Sequence, residues 1–281
     1  MNKNSALITI IVAVFNGAKT LQQCIDSVAQ QTYLNKELIV IDGGSKDGTV
    51  NLLKKNQKHI KYWVSEPDQG IYNAWNKGLA QASGDWICFL GADDYFWDAQ
   101  VLEKIAGQLA LTPYEIRVAY SQVMLLGSDE ASLYAVGEPW EGVKESFKHQ
   151  MSIPHPGLMH RRSLFELRGE FDESFRIVGD YELLLRELKT GDAVFIPDVI
   201  VAGMRQGGIS SSPENLLIAL REVRRAQVMH DQNWPSIIFI MALVRVYIRL
   251  LLWKILGEKL ARKALDFGRS IMGLPAYWTK T

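Results

Sequence analysis

Short apolar, β-branched runs alternating with stretches of helical spacing constrain this chain more than any other feature. Leu7 to Val14 is an almost unbroken apolar run, too short for a buried helix and suited to a central parallel strand covered on both faces. Thr20-Leu-Gln-Gln23 has a capping-box pattern and opens a predicted helix with Leu21, Ile25 and Val28 on one face. Glu37 to Ile41 reads as a second strand, stopped by the turn-rich Asp42-Gly-Gly-Ser-Lys-Asp-Gly48, after which Thr49 is placed to cap a helix. Ile60 to Ser65, Tyr72 to Ala82 and Trp86 to Leu90 continue as strand, helix and strand, ending at Gly91-Ala-Asp-Asp94. Such alternation predicts βαβ units, a parallel sheet and the α/β class.

After Ala110 the rhythm weakens. Val118 to Leu126, Pro156 to His160 and Ala193 to Ala202 read as strands and Tyr181 to Lys189 as a helix, with a Gly/Ser/Pro-rich boundary at Arg205 to Glu214. The predicted organisation is a catalytic domain over 1–205, a linker and helix over 206–235 and a helical tail over 236–281. The 31 basic and 31 acidic residues balance overall, which argues against a nucleic-acid binder. The tail nevertheless holds eight Lys/Arg against Glu258 and Asp266. Two cysteines, Cys24 and Cys88, sit in apolar runs and are expected to be buried thiols of a reducing compartment. Met1 to Ala6 lacks the features of a signal peptide, so a cytoplasmic location is expected.

The polar clusters Asn16, Asp42, Glu66 to Asp68 and Asp93/Asp94 each follow a predicted strand, and that edge of an open α/β sheet is where ligands bind. Asp93-Asp94 suits a divalent cation completed by phosphate oxygens and water, or else a turn capping the next helix. Asp42 suits a turn or a hydrogen bond to a nucleobase. His155, between two prolines, suits a diphosphate or acceptor contact or a structural role. Trp97 suits a sugar face or the core. Lys77, Arg161 and Arg162 are candidate phosphate partners. No G-x-G-x-x-G and no G-x-x-x-x-G-K-[ST] occurs, which disfavours a nicotinamide dehydrogenase and a P-loop NTPase.

Four ordered motifs carry a resemblance: Ile10-Ile-Val-Ala-Val-Phe-Asn-Gly17, Ile39-Val-Ile-Asp-Gly-Gly-Ser-Lys-Asp-Gly-Thr49, Ser65-Glu-Pro-Asp-Gln-Gly-Ile-Tyr-Asn-Ala-Trp-Asn-Lys-Gly78 and Gly84-Asp-Trp-Ile-Cys-Phe-Leu-Gly-Ala-Asp-Asp94. Together they resemble the family 2 glycosyltransferases, inverting enzymes of GT-A fold that use nucleotide-sugar donors. Pro154-His-Pro-Gly157, Gly169-Glu-Phe-Asp-Glu-Ser-Phe175 and Gly179-Asp-Tyr-Glu-Leu-Leu-Leu-Arg186 are similar to the acceptor half of the bacterial surface-polysaccharide branch. The resemblance implies a Rossmann-like, mostly parallel sheet with flanking helices. It also implies nucleotide binding by Asp42 and Asp93, a Mn²⁺ or Mg²⁺ held by Asp94 and Asp93, and Asp180 as catalytic base. The family often carries aspartates where Gly43 and Gly91 stand here, which bears on base selectivity and on the number of metal ligands.

The implied activity is hexosyl or N-acetylhexosaminyl transfer from a nucleotide sugar, a UDP-sugar foremost, to a glycan acceptor on a polyprenyl diphosphate. The products would be O-antigen, capsule or exopolysaccharide. Two alternatives compete with it: a non-catalytic membrane-bound subunit of a polysaccharide-assembly complex, which has no need of Asp93, Asp94 and Asp180 together, and a sugar-phosphate nucleotidyltransferase, which should carry a glycine-rich nucleotide loop. Ile237 to Leu256 is apolar but interrupted by Arg245, Arg249 and Lys254, and such charges oppose a spanning helix. The tail is therefore expected to lie on the inner leaflet of the cytoplasmic membrane, with Lys259, Arg262, Lys263 and Arg269 facing anionic headgroups. A helical cap over the sheet and a homodimer interface are the alternatives.

Overall fold

The computed structural model describes residues 5–127, 130–205, 213–271, 273 and 276–280. Four parallel strands form its centre: β1 (Ile8–Val14), β2 (Lys36–Asp42), β3 (Tyr62–Ser65) and β4 (Trp86–Gly91), with β1 between β2 and β4. Connecting them are α1 (Leu21–Ala29), α2 (Thr49–Asn56) and α3 (Ile71–Gln81). The short β5 (Tyr95–Phe96) and α4 (Val101–Leu109) precede a second half made of β6 (Val118–Leu126), β7 (Ser132–Val136), α5 (Trp140–Phe147), β8 (Met159–Arg161), α6 (Arg162–Arg168), α7 (Gly179–Leu188) and β9 (Ala193–Arg205). Among the described residues these strands make one nine-stranded sheet in the order β3-β2-β1-β4-β8-β6-β9-β5, with β7 added beside β6.

The apolar runs form strands because both faces of the sheet are covered. On one face Ile8, Ile10, Val12, Val14 and Cys88 pack with Leu21, Ile25, Val28 and Leu102 of α1 and α4. On the other, Ile11, Ile39, Ile87 and Phe89 pack with Tyr72, Trp75, Leu79 and Leu184 of α3 and α7. Alternate residues of each strand thus enter different cores, and the sequence shows no polar face to mark a strand. Cys24 and Cys88 are buried and unpaired in a disulfide, and burial pushes the Cys88 thiol up to about 12, so neither reads as a reactive nucleophile.

Three local expectations are corrected. Thr20 forms no side-chain cap; instead a tight turn delivers the Thr20 and Leu21 N–H groups to the Gly17 carbonyl. Thr49 is the first residue of α2 rather than its cap, and Asp47 accepts from both the Thr49 N–H and hydroxyl. The Pro156 to His160 run yields only the short β8, antiparallel to β4.

Beyond β9 the expected boundary falls on residues 206–212, outside the described residues. α8 (Pro213–Met229) follows and packs against α7. α9 (Ile237–Ile271) then runs on with a break at Gly257, whose φ is 71°. No described helix is long and apolar enough to cross a membrane. Arg249 lies between the Trp253 and Trp278 rings, 4.3 and 3.9 Å from their centroids, and Asp266 accepts the Tyr277, Trp278 and Thr279 N–H groups. These contacts fold the chain terminus back onto both halves of α9.

Candidate active site

The parallel register brings Val14, Asp42 and Ser65 into one row at the carboxyl edge, with Gly91 opposite Ala13. Above this row opens a cleft of about 480 Å³. Its walls come from four separated stretches: Phe15 to Gly17 after β1, Gly91 to Asp93 at and after the end of β4, Ile71, Tyr72 and Trp75 of α3, and Arg176, Ile177 and Asp180 at the entry to α7. Two loops brace each other beneath it. Asn16, in the left-handed region at φ 52°, donates its N–H to Ser45 Oγ at 2.6 Å and accepts from the Lys46 N–H at 3.0 Å.

Asp180 stands in the first turn of α7, where the helix dipole favours a negative charge. Gly179 precedes it for a steric reason: a β-carbon there would lie 2.8 Å from the Tyr72 ring. With that space open, the Tyr72 hydroxyl reaches Asp180 Oδ1 at 3.3 Å, and the Tyr181 N–H donates to the same oxygen at 2.8 Å. Burial nevertheless prevails over these donors and pushes the carboxyl up to about 6. The segment leading into α7 is held from outside by Glu222 of α8. Its carboxylate accepts the N–H groups of Arg176, Ile177 and Val178 at 2.7, 2.8 and 3.0 Å.

Asp93 lines the same cleft as Asp180, and Asp94, which does not line it, is only 6% exposed. A β-carbon at position 91 would come within 2.7 Å of Asp94 Oδ2 and 2.8 Å of Asp93 Oδ1, so both carboxylates converge on the space that glycine leaves. Burial, then the Asp93 charge, pushes Asp94 up to about 7, against the opposing pull of Arg205. Arg205, at the end of β9, donates its N–H to Asp94 Oδ1 at 3.1 Å and its guanidinium to the Asp93 carbonyl. Two converging carboxylates, one raised to about 7 by burial and then by its neighbour's charge, suit a hard divalent cation. Among the described residues no three His, Cys, Asp or Glu side chains gather at one point, so phosphate oxygens and water would complete such an ion's shell.

Several anticipated residues occupy other positions. Asp42 is fully buried; its carboxylate accepts from the Gly44 N–H at 3.2 Å, the Ser45 N–H at 3.0 Å and the Ser65 hydroxyl at 2.5 Å. The Ser45 hydroxyl donates to its other oxygen, and these contacts meet the turn reading. His155 does not line the cleft; it stacks on Trp75 at 5.1 Å behind the wall, where burial lowers it to about 4 and keeps it neutral. Trp97 lies outside the cleft, stacked on Tyr95 at 6.4 Å beside α1. Lys77 pairs with Glu66. Arg161, paired in register with Trp86 at the start of β4, and Arg162, bonded to the Gly84 carbonyl, sit at the opposite sheet edge and are corrected as phosphate partners. Tyr72, Arg205 and Glu222 were not singled out in the sequence. Tyr72 lies within a quoted motif and Arg205 opens the predicted Gly/Ser/Pro-rich boundary, which the observed β9 reaches, but nothing local marks Glu222.

Comparison with known proteins agrees with this architecture. Residues 9–123 match the model of Glycosyl transferase family 2. The chain is 28% identical over 244 residues to a PGL/p-HBAD biosynthesis glycosyltransferase of Mycobacterium bovis, covering 83% of this chain and 92% of that one. It is 32% identical over 198 residues to a protein named uncharacterized glycosyltransferase in Mycobacterium tuberculosis, covering 69% of this chain and 73% of that one. Among solved structures, S. aureus TarS 1-349 in complex with UDP-GlcNAc superposes with a TM-score of 0.63 at 17% identity over 78% of this chain, which spans 66% of that fragment. The mannosyltransferase PcManGT of Pyrobaculum calidifontis, in complex with GDP-Man and Mn²⁺, superposes with a TM-score of 0.61 at 16% identity, covering 96% of this chain and 81% of that one. The fold is GT-A, and the chain belongs to the family 2 glycosyltransferases.

Proposed function

We propose that this transferase inverts the anomeric centre of a nucleoside diphosphate sugar, foremost a UDP-sugar, delivering a hexosyl or N-acetylhexosaminyl unit to a glycan acceptor on a polyprenyl diphosphate lipid in surface polysaccharide synthesis. The observation that carries this reading is that Asp93 and Asp180, from separate elements, line one cleft, with Asp94 buried beside Asp93. UDP-GlcNAc in TarS and GDP-Man with Mn²⁺ in PcManGT support a nucleotide sugar and a divalent cation here.

Inversion is a single in-line displacement. The acceptor oxygen bonds to the anomeric carbon, the bond to the diphosphate breaks, and the acceptor proton needs a base on the opposite side. Asp180, with its pKa at about 6, is largely ionised near neutrality and basic enough to take that proton. Tyr72 and the Tyr181 N–H fix its carboxylate, while Ile71, Trp75 and Ile177 supply apolar walls that limit water. Asp93 and Asp94 would hold Mn²⁺ or Mg²⁺, which stabilises charge on the departing diphosphate.

Membrane attachment belongs to the same reading. Ile237, Ile240, Met241, Val244, Ile248, Leu251 and Ile255 are all more than 40% exposed and recur at helical spacing along one stripe of α9. This exposed stripe opposes the alternative of a cap laid over the sheet. Arg245 and Lys254 fall on its two sides, where their charges stay in water while the stripe enters the headgroup region of the inner leaflet.

Diphosphate release from a panel of UDP- and GDP-sugars, measured with membrane glycolipid acceptors, tests the reading. Asp180→Asn should lower turnover by about 10²- to 10⁴-fold and leave UDP or GDP binding intact. Near-normal turnover in Asp180→Asn at saturating donor would remove Asp180 as the base.

A further inference from the structure

We propose that Arg176 binds the diphosphate joining the acceptor glycan to its lipid, and so selects a short acceptor. The proposal rests on the glycosyltransferase reading above and names a specificity-determining residue for it.

Seven arginines lie between residues 5 and 205. The guanidinium groups of Arg117, Arg161, Arg162, Arg168, Arg186 and Arg205 all donate hydrogen bonds to protein oxygens. Arg176 differs. Among the described residues its exposed side chain has neither a hydrogen bond nor an ion pair, and only its backbone N–H is engaged. It is also the one Lys or Arg among the described residues that line the cleft, whose charged lining otherwise consists of Asp93 and Asp180. An unpaired cation is ordinary on an open surface. On the wall of this cleft its planar fork is placed for phosphate oxygens brought in by a substrate.

The backbone that carries Arg176 is fixed although the guanidinium is unengaged. Phe175 and Val178, before and after it, are buried. Arg225 of α8 lies over the Phe175 ring, 4.2 Å from its centroid, and Glu222 holds the N–H groups of Arg176, Ile177 and Val178. Little ordering of the chain is then left for binding, which favours affinity.

Two diphosphates meet in the reaction proposed above, one on the donor and one on the acceptor lipid. In an in-line displacement the entering hydroxyl and the departing diphosphate lie on opposite faces of the anomeric carbon. The donor diphosphate then belongs to the cation of Asp93 and Asp94, and residues of the base's own segment meet the acceptor. Arg176 precedes Asp180 by four residues, so their backbones are at most about 14 Å apart. Few sugars can therefore separate an anion held by Arg176 from the hydroxyl that Asp180 deprotonates, as in a glycan only begun on its lipid. α8, which braces this wall, also packs against α9, the helix proposed above to meet the membrane surface where a lipid diphosphate lies.

The test is calorimetry of farnesyl diphosphate binding to the full-length chain loaded with Mn²⁺ and saturating UDP or GDP, which fill the donor half. Farnesol is the neutral control. The wild type should bind farnesyl diphosphate at least about tenfold more tightly than farnesol. Arg176→Gln should weaken the diphosphate about 10- to 100-fold and leave farnesol unchanged, and Arg176→Lys should restore part of the loss. With membrane glycolipid acceptors, Arg176→Gln should raise the acceptor KM by a similar factor while donor KM and melting temperature stay near wild type. No farnesyl diphosphate binding by the wild type, or equal binding by Arg176→Gln, would overturn the proposal. So would a raised acceptor KM that persists once mild acid has removed the lipid diphosphate, which points to an acidic sugar, or an effect confined to donor KM. Failure of the glycosyltransferase reading would show separately, as absence of UDP and GDP binding in the wild type.

Discussion

Asp94 lies almost out of water beside a second carboxylate, and either a proton or a cation relieves the repulsion. The two compete for one group, so Mn²⁺ affinity should fall as pH drops through about 7, approaching tenfold per pH unit on the acid side. Calorimetric titration from about pH 6 to pH 8 checks this, and a flat profile would detach Asp94 from the cation. Gly91 belongs to the same argument. A methyl at that position meets the flexible ends of two carboxylates rather than backbone, so Gly91→Ala should spare the fold and spoil the convergence. Its expected signature is a melting temperature close to wild type with Mn²⁺ binding weakened about tenfold or more.

At the scale of elements, α7 presents the base and α8 holds α7. Glu222 gives one carboxylate to three consecutive N–H groups, and His230 near the end of α8 meets Glu182 of α7 at 2.9 Å. Glu222→Ala would leave those N–H groups seeking other acceptors, at a cost of about 1 to 3 kcal/mol. Turnover should fall about tenfold while UDP or GDP affinity changes less than twofold, because only the base side of the cleft loosens. A parallel loss of nucleotide binding would mean that α8 supports the whole sheet edge instead. None of this was legible beforehand: Tyr72 and Asp180 are separated by 108 residues and Arg205 and Asp94 by 111, and local spacing carries no signal over such distances.

For the whole molecule the strongest expectation concerns α9. Truncation before Ser236 removes the exposed stripe and most of the local basic surplus, so the full chain should float with anionic liposomes while the truncated chain stays behind and still binds nucleotide diphosphate. Equal behaviour of the two in flotation would turn the stripe into a protein interface. By itself the sequence determined the four parallel strands, their order of appearance and the position of Asp93 and Asp94 just past a strand end, because fully buried strands and polar strand ends leave a local pattern. It also carried the motifs of the family. Tertiary structure alone decided that Asp42 is buried and bonded to Gly44, Ser45 and Ser65, that His155 supports Trp75 from behind, and that Trp97 joins Tyr95 outside the cleft. It moved Arg161 and Arg162 to the far edge as well, since β8 runs antiparallel to β4. In each case the side chain's role follows from the direction in which it points and the partner that meets it, and both are set by contacts between segments remote in the chain.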